Sequence, residues 1–172
     1  NSLTAAGAEQ ITVGGEFTPA VFTSGTSRVI LNTATAADVS AASFYELEIN
    51  KANPGDTVTA TGDWTVTGSL ILTQGTWLAD PVPGSYTHTI AGAWDSSGAN
   101  FTFTAAGSTI VLDPTANPPI TTKGIGTDPF YNLTLNDGGA MATSVEVSSN
   151  LDIVGGDLAL SGNDLTVGVG LT

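Results

Sequence analysis

Residues 44–49 read Phe-Tyr-Glu-Leu-Glu-Ile, and residues 130–135 read Phe-Tyr-Asn-Leu-Thr-Leu. The likeness extends outward from both stretches, since residues 29–31 (Val-Ile-Leu) are matched by residues 110–112 (Ile-Val-Leu). The matched segments are offset by roughly 80 residues, and the offset varies by a few residues from segment to segment. Such a period with small insertions is typical of stacked or arrayed repeats.

A second repeated block supports the same interpretation. Residues 64–72 read Trp-Thr-Val-Thr-Gly-Ser-Leu-Ile-Leu, and residues 151–160 read Leu-Asp-Ile-Val-Gly-Gly-Asp-Leu-Ala-Leu. We predict one continuous β-solenoid over residues 1–172, with internal repeats at approximately 11–89 and 90–164. Because a repeated unit supplies length and surface, the repetition favours a structural role.

The local pattern is alternation of apolar and polar residues. Runs such as 57–61 (Thr-Val-Thr-Ala-Thr) are short and lie between turn sequences such as 53–56 (Asn-Pro-Gly-Asp), which predicts half-buried strands. Residues 33–43 are rich in alanine, but their counterpart, residues 113–119, contains three prolines. The alanines of residues 33–43 could form a helical turn, but proline does not occupy a helix interior. Because both copies should share one backbone, we predict that both segments are irregular.

Two all-β architectures fit this pattern, namely a parallel β-helix and a pair of small immunoglobulin-like β-sandwiches. The β-helix is favoured because the strands are short and rich in small residues. In addition, residues 91–94 run straight from one repeat into the next without a linker. We therefore predict an all-β parallel β-helix of about two such repeats.

Composition excludes several function classes. The 172 residues carry 16 acidic and three basic side chains, a formal net charge of −13, and no cysteine. Nucleic acid and anionic membranes both require basic surfaces, so neither is an expected partner. Without cysteine there is no disulfide or thiolate metal site, and no apolar run is long enough for a membrane-spanning helix. The chain begins at Asn1, which suggests a processed protein or an excerpt of a longer one.

Three motifs carry a resemblance to a known family. These are Val-Gly-Gly at residues 13–15 followed by Phe17, the strand at 130–136, and the strand pair at 64–72. The chain resembles the β-helical repeats of large secreted bacterial surface proteins of the adhesin or filamentous-haemagglutinin type. That resemblance implies an extracellular scaffold or adhesive role and no catalytic residue. The second Val-Gly-Gly position departs from the pattern, because residues 90–94 read Ile-Ala-Gly-Ala-Trp.

Candidate catalytic residues are few. Asp152, Asp157 and Asp164 could lie on neighbouring coils and form an acidic cluster like that of a β-helix polysaccharide lyase or hydrolase. Asp157 and Asp164 lie beside glycine or asparagine, where aspartate is an ordinary turn residue. His88 is the only histidine, and its alternating context predicts a surface strand position. We predict no enzyme activity and no catalytic or cofactor-binding residue.

Binding motifs also have simpler structural explanations. Residues 155–157 (Gly-Gly-Asp) and 136–139 (Asn-Asp-Gly-Gly) resemble parts of calcium-binding repeats but have no tandem copies, so we predict turns and no metal site. The alternating threonines at 57–61 and 65–67 could form an ice-binding array, but solvent-facing strand positions explain them more simply. The tryptophans are either glycan platforms or packing residues, and packing is favoured; they are Trp64, Trp77 and Trp94.

The final residues, 167–172 (Val-Gly-Val-Gly-Leu-Thr), contain no charge or proline that would cap a solenoid. Either the chain is an excerpt of a longer array, or copies stack head to tail into a filament. The leading hypothesis is a structural subunit or segment of an extracellular bacterial fibre that self-associates end to end. The alternative is an adhesive or carbohydrate-binding surface module with glycans as partners. No cofactor is expected.

Overall fold

The computed structural model describes residues 2–113 and 118–172. Over these residues the chain forms strands and turns and contains no helix. The described residues accordingly provide no helix of the length and apolarity that a membrane span requires. Of the predicted irregular segment at 113–119, residues 114–117 lie outside the described residues.

The strands are short, and most have three to five residues. In chain order they are β1 (Ser2–Thr4), β2 (Gln10–Val13), β3 (Val21–Thr23), β4 (Arg28–Leu31), β5 (Ala37–Val39), β6 (Ala42–Phe44), β7 (Glu46–Asn50), β8 (Thr57–Ala60), β9 (Trp64–Val66), β10 (Leu70–Leu78), β11 (Thr87–Ile90), β12 (Trp94–Asp95), β13 (Asn100–Thr104), β14 (Thr109–Leu112), β15 (Pro119–Thr121), β16 (Asn132–Leu135), β17 (Gly139–Met141), β18 (Val145–Val147), β19 (Asn150–Ile153), β20 (Leu158–Ala159), β21 (Leu165–Val167) and β22 (Gly170–Leu171).

These strands stack into three columns, or faces, which the chain visits in a fixed cyclic order. Face 1 is the series β2-β4-β7-β10-β12-β15-β17-β20, to which β10 contributes its first half. Face 2 contains β5, β8, the second half of β10, β13, β18 and β21. Face 3 contains β1 and β3, followed by the series β6-β9-β11-β14-β16-β19-β22. Each coil therefore has three sides.

All strand pairs among the described residues are parallel and join successive coils, as in β4 with β7 and β14 with β16. A sandwich of the immunoglobulin type would instead pair its strands antiparallel. The predicted parallel β-helix is confirmed, and the alternative of two sandwiches is wrong.

The coil is the unit that stacks. Val29 is the partner of Ile11, so this coil takes 18 residues, whereas Ile120 is the partner of Trp94 and that coil takes 26. The eight strands of face 1 correspond to about eight coils. A sequence repeat of roughly 80 residues therefore spans about four coils.

The two copies of the longest repeated stretch lie on different faces. Residues 44–49 end β6 on face 3 and form β7 on face 1. Residues 130–135 start at an isolated bridge to Val147 on face 2 and form β16 on face 3. In both copies the phenylalanine is buried and the following tyrosine is exposed. The repeated sequence thus specifies a corner followed by a strand, which can serve at more than one side of the coil.

The prediction that residues 33–43 are irregular is wrong, because they include β5 and the start of β6. Ala37 and Val39 point inward and are buried, while Asp38 between them faces solvent. Val39 also pairs with Phe17 of the preceding coil. The alanine-rich segment is therefore a strand with the same in-out alternation as its neighbours.

The interior of the first coils is filled by a column of aromatic side chains that we call the aromatic ladder. Trp64 and Trp77 stack with ring centroids 4.9 Å apart and planes 4° apart. Such pairs contribute about 0.5–1.5 kcal/mol each beyond the burial of their surface. In contact order, the ladder comprises Phe17, Phe22, Phe44, Trp64, Trp77, His88, Trp94, Phe103 and Phe130.

Glycine is required where one corner lies directly on the corner of the preceding coil. A Cβ on Gly98 would overlap the carbonyl oxygens of Leu72 and Thr73. These backbone atoms cannot easily move aside, because β10, which contains them, pairs with β7 of the preceding coil and with β12 and β13 of the next. Gly55, in contrast, has no heavy atom within 4 Å of such a Cβ.

We expect Gly98→Ala to lower the free energy of unfolding by about 1–3 kcal/mol, the usual cost of overpacking a filled site. Gly55→Ala is the matched control and should change it little. Chemical denaturation followed by circular dichroism measures both. Equal stability of the two variants would contradict close stacking of the corners.

Candidate functional site

The three predicted acidic residues do not come together. Asp152 lies in β19 on face 3, Asp157 precedes β20 on face 1, and Asp164 precedes β21 on face 2. They follow one another around a single coil, so they do not form the acidic cluster that neighbouring coils could have brought together. Over residues 2–113 and 118–172, no group of three or more His, Asp or Glu side chains is placed to hold a metal ion.

The two glycine-aspartate sequences form turns that stack on each other. A Cβ on Gly155 would lie 2.5 Å from the carbonyl oxygen of Asn136, and Gly156 lies against the backbone of Asp137. Gly156 also has a φ of +67°, which favours glycine. These contacts support the interpretation of both sequences as turns.

The prediction that His88 lies on the surface is wrong, because only 1% of the residue is exposed. Its ring packs edge-on against both Trp64 and Trp77, with centroid distances of 5.3 and 5.1 Å. Nδ1 accepts the backbone N–H of Trp64 at 3.2 Å, and Nε2 lies 2.8 Å from the carbonyl oxygen of Ala79. This pattern fits a neutral ring that carries its proton on Nε2.

Burial lowers the pKa of His88 below its ordinary value of 6.5. The bond to the Ala79 carbonyl and the charges of Asp63 and Asp80 act in the opposite direction, but desolvation is the larger effect. A protonated ring would also have no lone pair to accept the N–H of Trp64. His88 is therefore a neutral member of the core.

The prediction that the tryptophans are packing residues is confirmed, since Trp64, Trp77 and Trp94 are each at most 1% exposed. Trp94 donates its indole N–H to the hydroxyl of Ser96 at 3.0 Å. None of the three can stack on a glycan without unfolding the coil.

All three basic residues are engaged within the fold. Arg28 binds Glu48 on the next coil at 2.6 Å. Lys51 is 1% exposed and donates to the carbonyl of Thr35 at 2.7 Å, and burial lowers its pKa. Lys123 contacts Asp128 at 2.9 Å and donates to the carbonyl of Phe101.

Asp80 is a buried carboxylate that sequence reasoning missed. It is fully buried and accepts the backbone N–H groups of Val82 and Ser85 at 3.1 and 2.9 Å. These bonds close the long corner between β10 and β11. Its Asp-Pro-x-Pro-Gly sequence is a turn signal, and that signal could have identified the carboxylate as a turn-closing group.

Among residues 2–113 and 118–172, the outermost strands have a partner on one side only. At one end these are β1 on face 3 and β2 on face 1, and at the other end β20, β21 and β22 on the three faces. Val169 and Leu171 beside the second edge are 79% and 64% exposed. Unpaired strand edges with exposed apolar side chains are ready templates for further pairing. These strand edges and the outer faces of the coils are the surfaces that the described residues offer to a further coil or to another molecule.

Comparisons with family models, with curated proteins and with solved structures find no match for this chain. The resemblance to adhesin-type repeats stays a prediction. Function is therefore inferred from the geometry of the chain itself.

The burial of His88 generates a pH prediction. Below about 6.5 the unfolded chain binds a proton on this side chain that the folded chain excludes, so stability falls as the pH drops toward the lowered folded pKa. In a series of denaturation midpoints from neutral pH down to about pH 5, above the usual carboxylate range, the wild type should lose stability.

His88→Gln should make the denaturation midpoint depend less on pH, which flattens the slope of midpoint against pH. The variant should also be less stable than the wild type at neutral pH. Because the chain has no other histidine, no second imidazole can replace the effect. Asp63→Asn is the control and should keep a slope. An unchanged slope in His88→Gln would argue against titration of the core imidazole.

Proposed function

We propose that this chain is a structural segment or subunit of an extracellular bacterial fibre or surface scaffold that associates end to end. The observation that carries the proposal is the one-sided pairing of the strands at both ends of the solenoid. A coil from a further repeat or from a second copy can continue the same three columns.

The free energy for this association comes from two sources. Each backbone hydrogen bond formed at an open edge contributes about 0.5–1.5 kcal/mol, and three faces offer several such bonds. Covering Val169 and Leu171 removes exposed apolar surface from water as well. The sum favours an occupied edge over a solvated one.

The direction of the strands determines the geometry of assembly. Since all described pairs are parallel, the edge formed by β20, β21 and β22 is complementary to the opposite end of another copy, not to itself. A contact between two different surfaces that does not close into a ring produces an open filament.

Charge makes this association dependent on salt. The first end carries Glu9 and Glu16, and the second carries Asp157 and Asp164. With the bases engaged within the fold, the two ends repel each other at low ionic strength. Salt screens exposed charges over a distance of about 10 Å at 0.1 M, so it should strengthen the contact. An acidic, cysteine-free chain is also consistent with a secreted location.

The alternative of a carbohydrate-binding module has weaker support. The tryptophans were the side chains expected to stack on sugar rings in such a module, and they are buried. The exposed aromatic side chains are Tyr45 and Tyr131, which lie at different corners. A polysaccharide lyase would need the three aspartates to converge, and they lie on three sides of one coil.

We expect negative-stain microscopy of purified protein at moderate salt to show end-to-end assemblies. Leu171→Glu should disperse them, because it places a charge on the apolar edge and adds repulsion. Val82→Glu is the matched control, since Val82 is 60% exposed at a corner in the middle of the solenoid. Uniform monomers of the wild type, or filaments of Leu171→Glu equal to those of Val82→Glu, would refute the proposal.

A further inference from the structure

The outer side of face 3 carries a regular array of small uncharged side chains across four neighbouring strands. The array has two columns that follow the strand register between β9, β11, β14 and β16. We call it the threonine face, and it consists of Thr65, Thr87, Thr89, Thr109, Val111, Asn132 and Thr134.

The sequence prediction missed this array because it considered threonines of different faces together. Thr57 and Thr59 point outward on face 2, whereas Thr65 points outward on face 3. In the second copy, Val147 and Leu151 are buried and point inward, so they do not interrupt an outward array. The threonine face becomes visible only when successive coils are superimposed.

The spacing of the array is fixed by the backbone. Neighbouring strands lie about 4.8 Å apart, and alternate residues along one strand lie about 6.6 Å apart. The side chains cannot drift, because β-branched residues have restricted χ1 rotamers. Beneath them lie the packed side chains of Trp64, His88 and Ile110. The array is therefore both periodic and rigid.

The array is also free of charge, in a chain with 16 acidic residues. Its seven outward positions hold no carboxylate. The nearest ones are Asp63, which accepts the backbone N–H of Thr87 at 2.9 Å, and Asp152, the register partner of Thr134. Face 1 in the same region carries Asp95 at an outward position. The nearest acidic side chains of face 3 thus lie at the borders of the array.

We propose that the threonine face binds the surface of ice crystals. Each threonine offers a hydroxyl that donates and accepts hydrogen bonds, beside a methyl group that limits how water can orient. Water held between the columns bridges hydroxyls of adjacent strands and repeats with the strand spacing. Ice presents rows of oxygen atoms at a comparable repeat, so this water layer can join the crystal.

Two properties favour ice over a crystalline polysaccharide as the occupant. The seven positions include no aromatic side chain, so no ring can stack on a sugar. A charged surface would hold water in hydration shells around each ion, and the array has no ion. The inference is independent of end-to-end association, because the threonine face lies along the side of the solenoid.

The test is partitioning of the purified full chain into slowly growing ice. The wild type should be enriched in the ice fraction and should shape single ice crystals. Thr89→Tyr and Thr134→Tyr each put a bulky ring into the flat array and should leave most of the protein in the liquid. Thr121→Tyr, at an outward position of β15 on face 1, is the matched control and should partition like the wild type.

Circular dichroism and the unfolding midpoint establish that each variant is folded. Exclusion of the folded wild type from ice overturns the proposal by itself, whatever the variants do. If Thr121→Tyr and Thr89→Tyr reduce partitioning into ice equally, the proposal is also overturned. Binding of the wild type to crystalline cellulose that Thr89→Tyr abolishes, without any effect on ice, would assign the face to a polysaccharide instead.

Discussion

The structure depends on the register of parallel strands between successive coils. The strands are joined to neighbouring coils by backbone hydrogen bonds, and every second side chain must enter a narrow three-sided interior. These two requirements decide which residues are tolerated at each position. They explain why the strands are short, why the corners contain glycine, and why aromatic rings align into one column through the first coils. A shift of one residue in any strand would turn its apolar side chains outward and break both requirements at once.

The sequence predicts the fold class well because alternation and the lack of helix-forming composition persist along the whole chain. It does not predict which face a strand occupies, since the same corner sequence serves at different sides of the coil. Residues 44–49 and 130–135 illustrate this limit. Alanine-rich residues 33–43 escaped prediction because they were assigned the same backbone as the proline-rich residues 113–119, which the two copies do not share at this point.

The position of His88 could have been inferred from the sequence. Period-two alternation places it on the same side as Ile90, which points inward, while Thr87 and Thr89 point outward. Lys51 and Asp80 are buried polar residues at corners, where period-two alternation does not indicate which side chains point inward. Their partners are backbone groups of a corner or of another coil, and contacts of that kind leave little trace in a single sequence.

The unequal length of the coils has a consequence for engineering. Strand positions are constrained from above and below, whereas the exposed corner at residues 81–85 lengthens its coil without disturbing the register of β10 and β11 with their partners. Foreign peptides could be grafted there at defined intervals along a stiff rod. Because corners of different length already occur in this chain, the fold tolerates insertions there and can serve as a scaffold for displaying peptides.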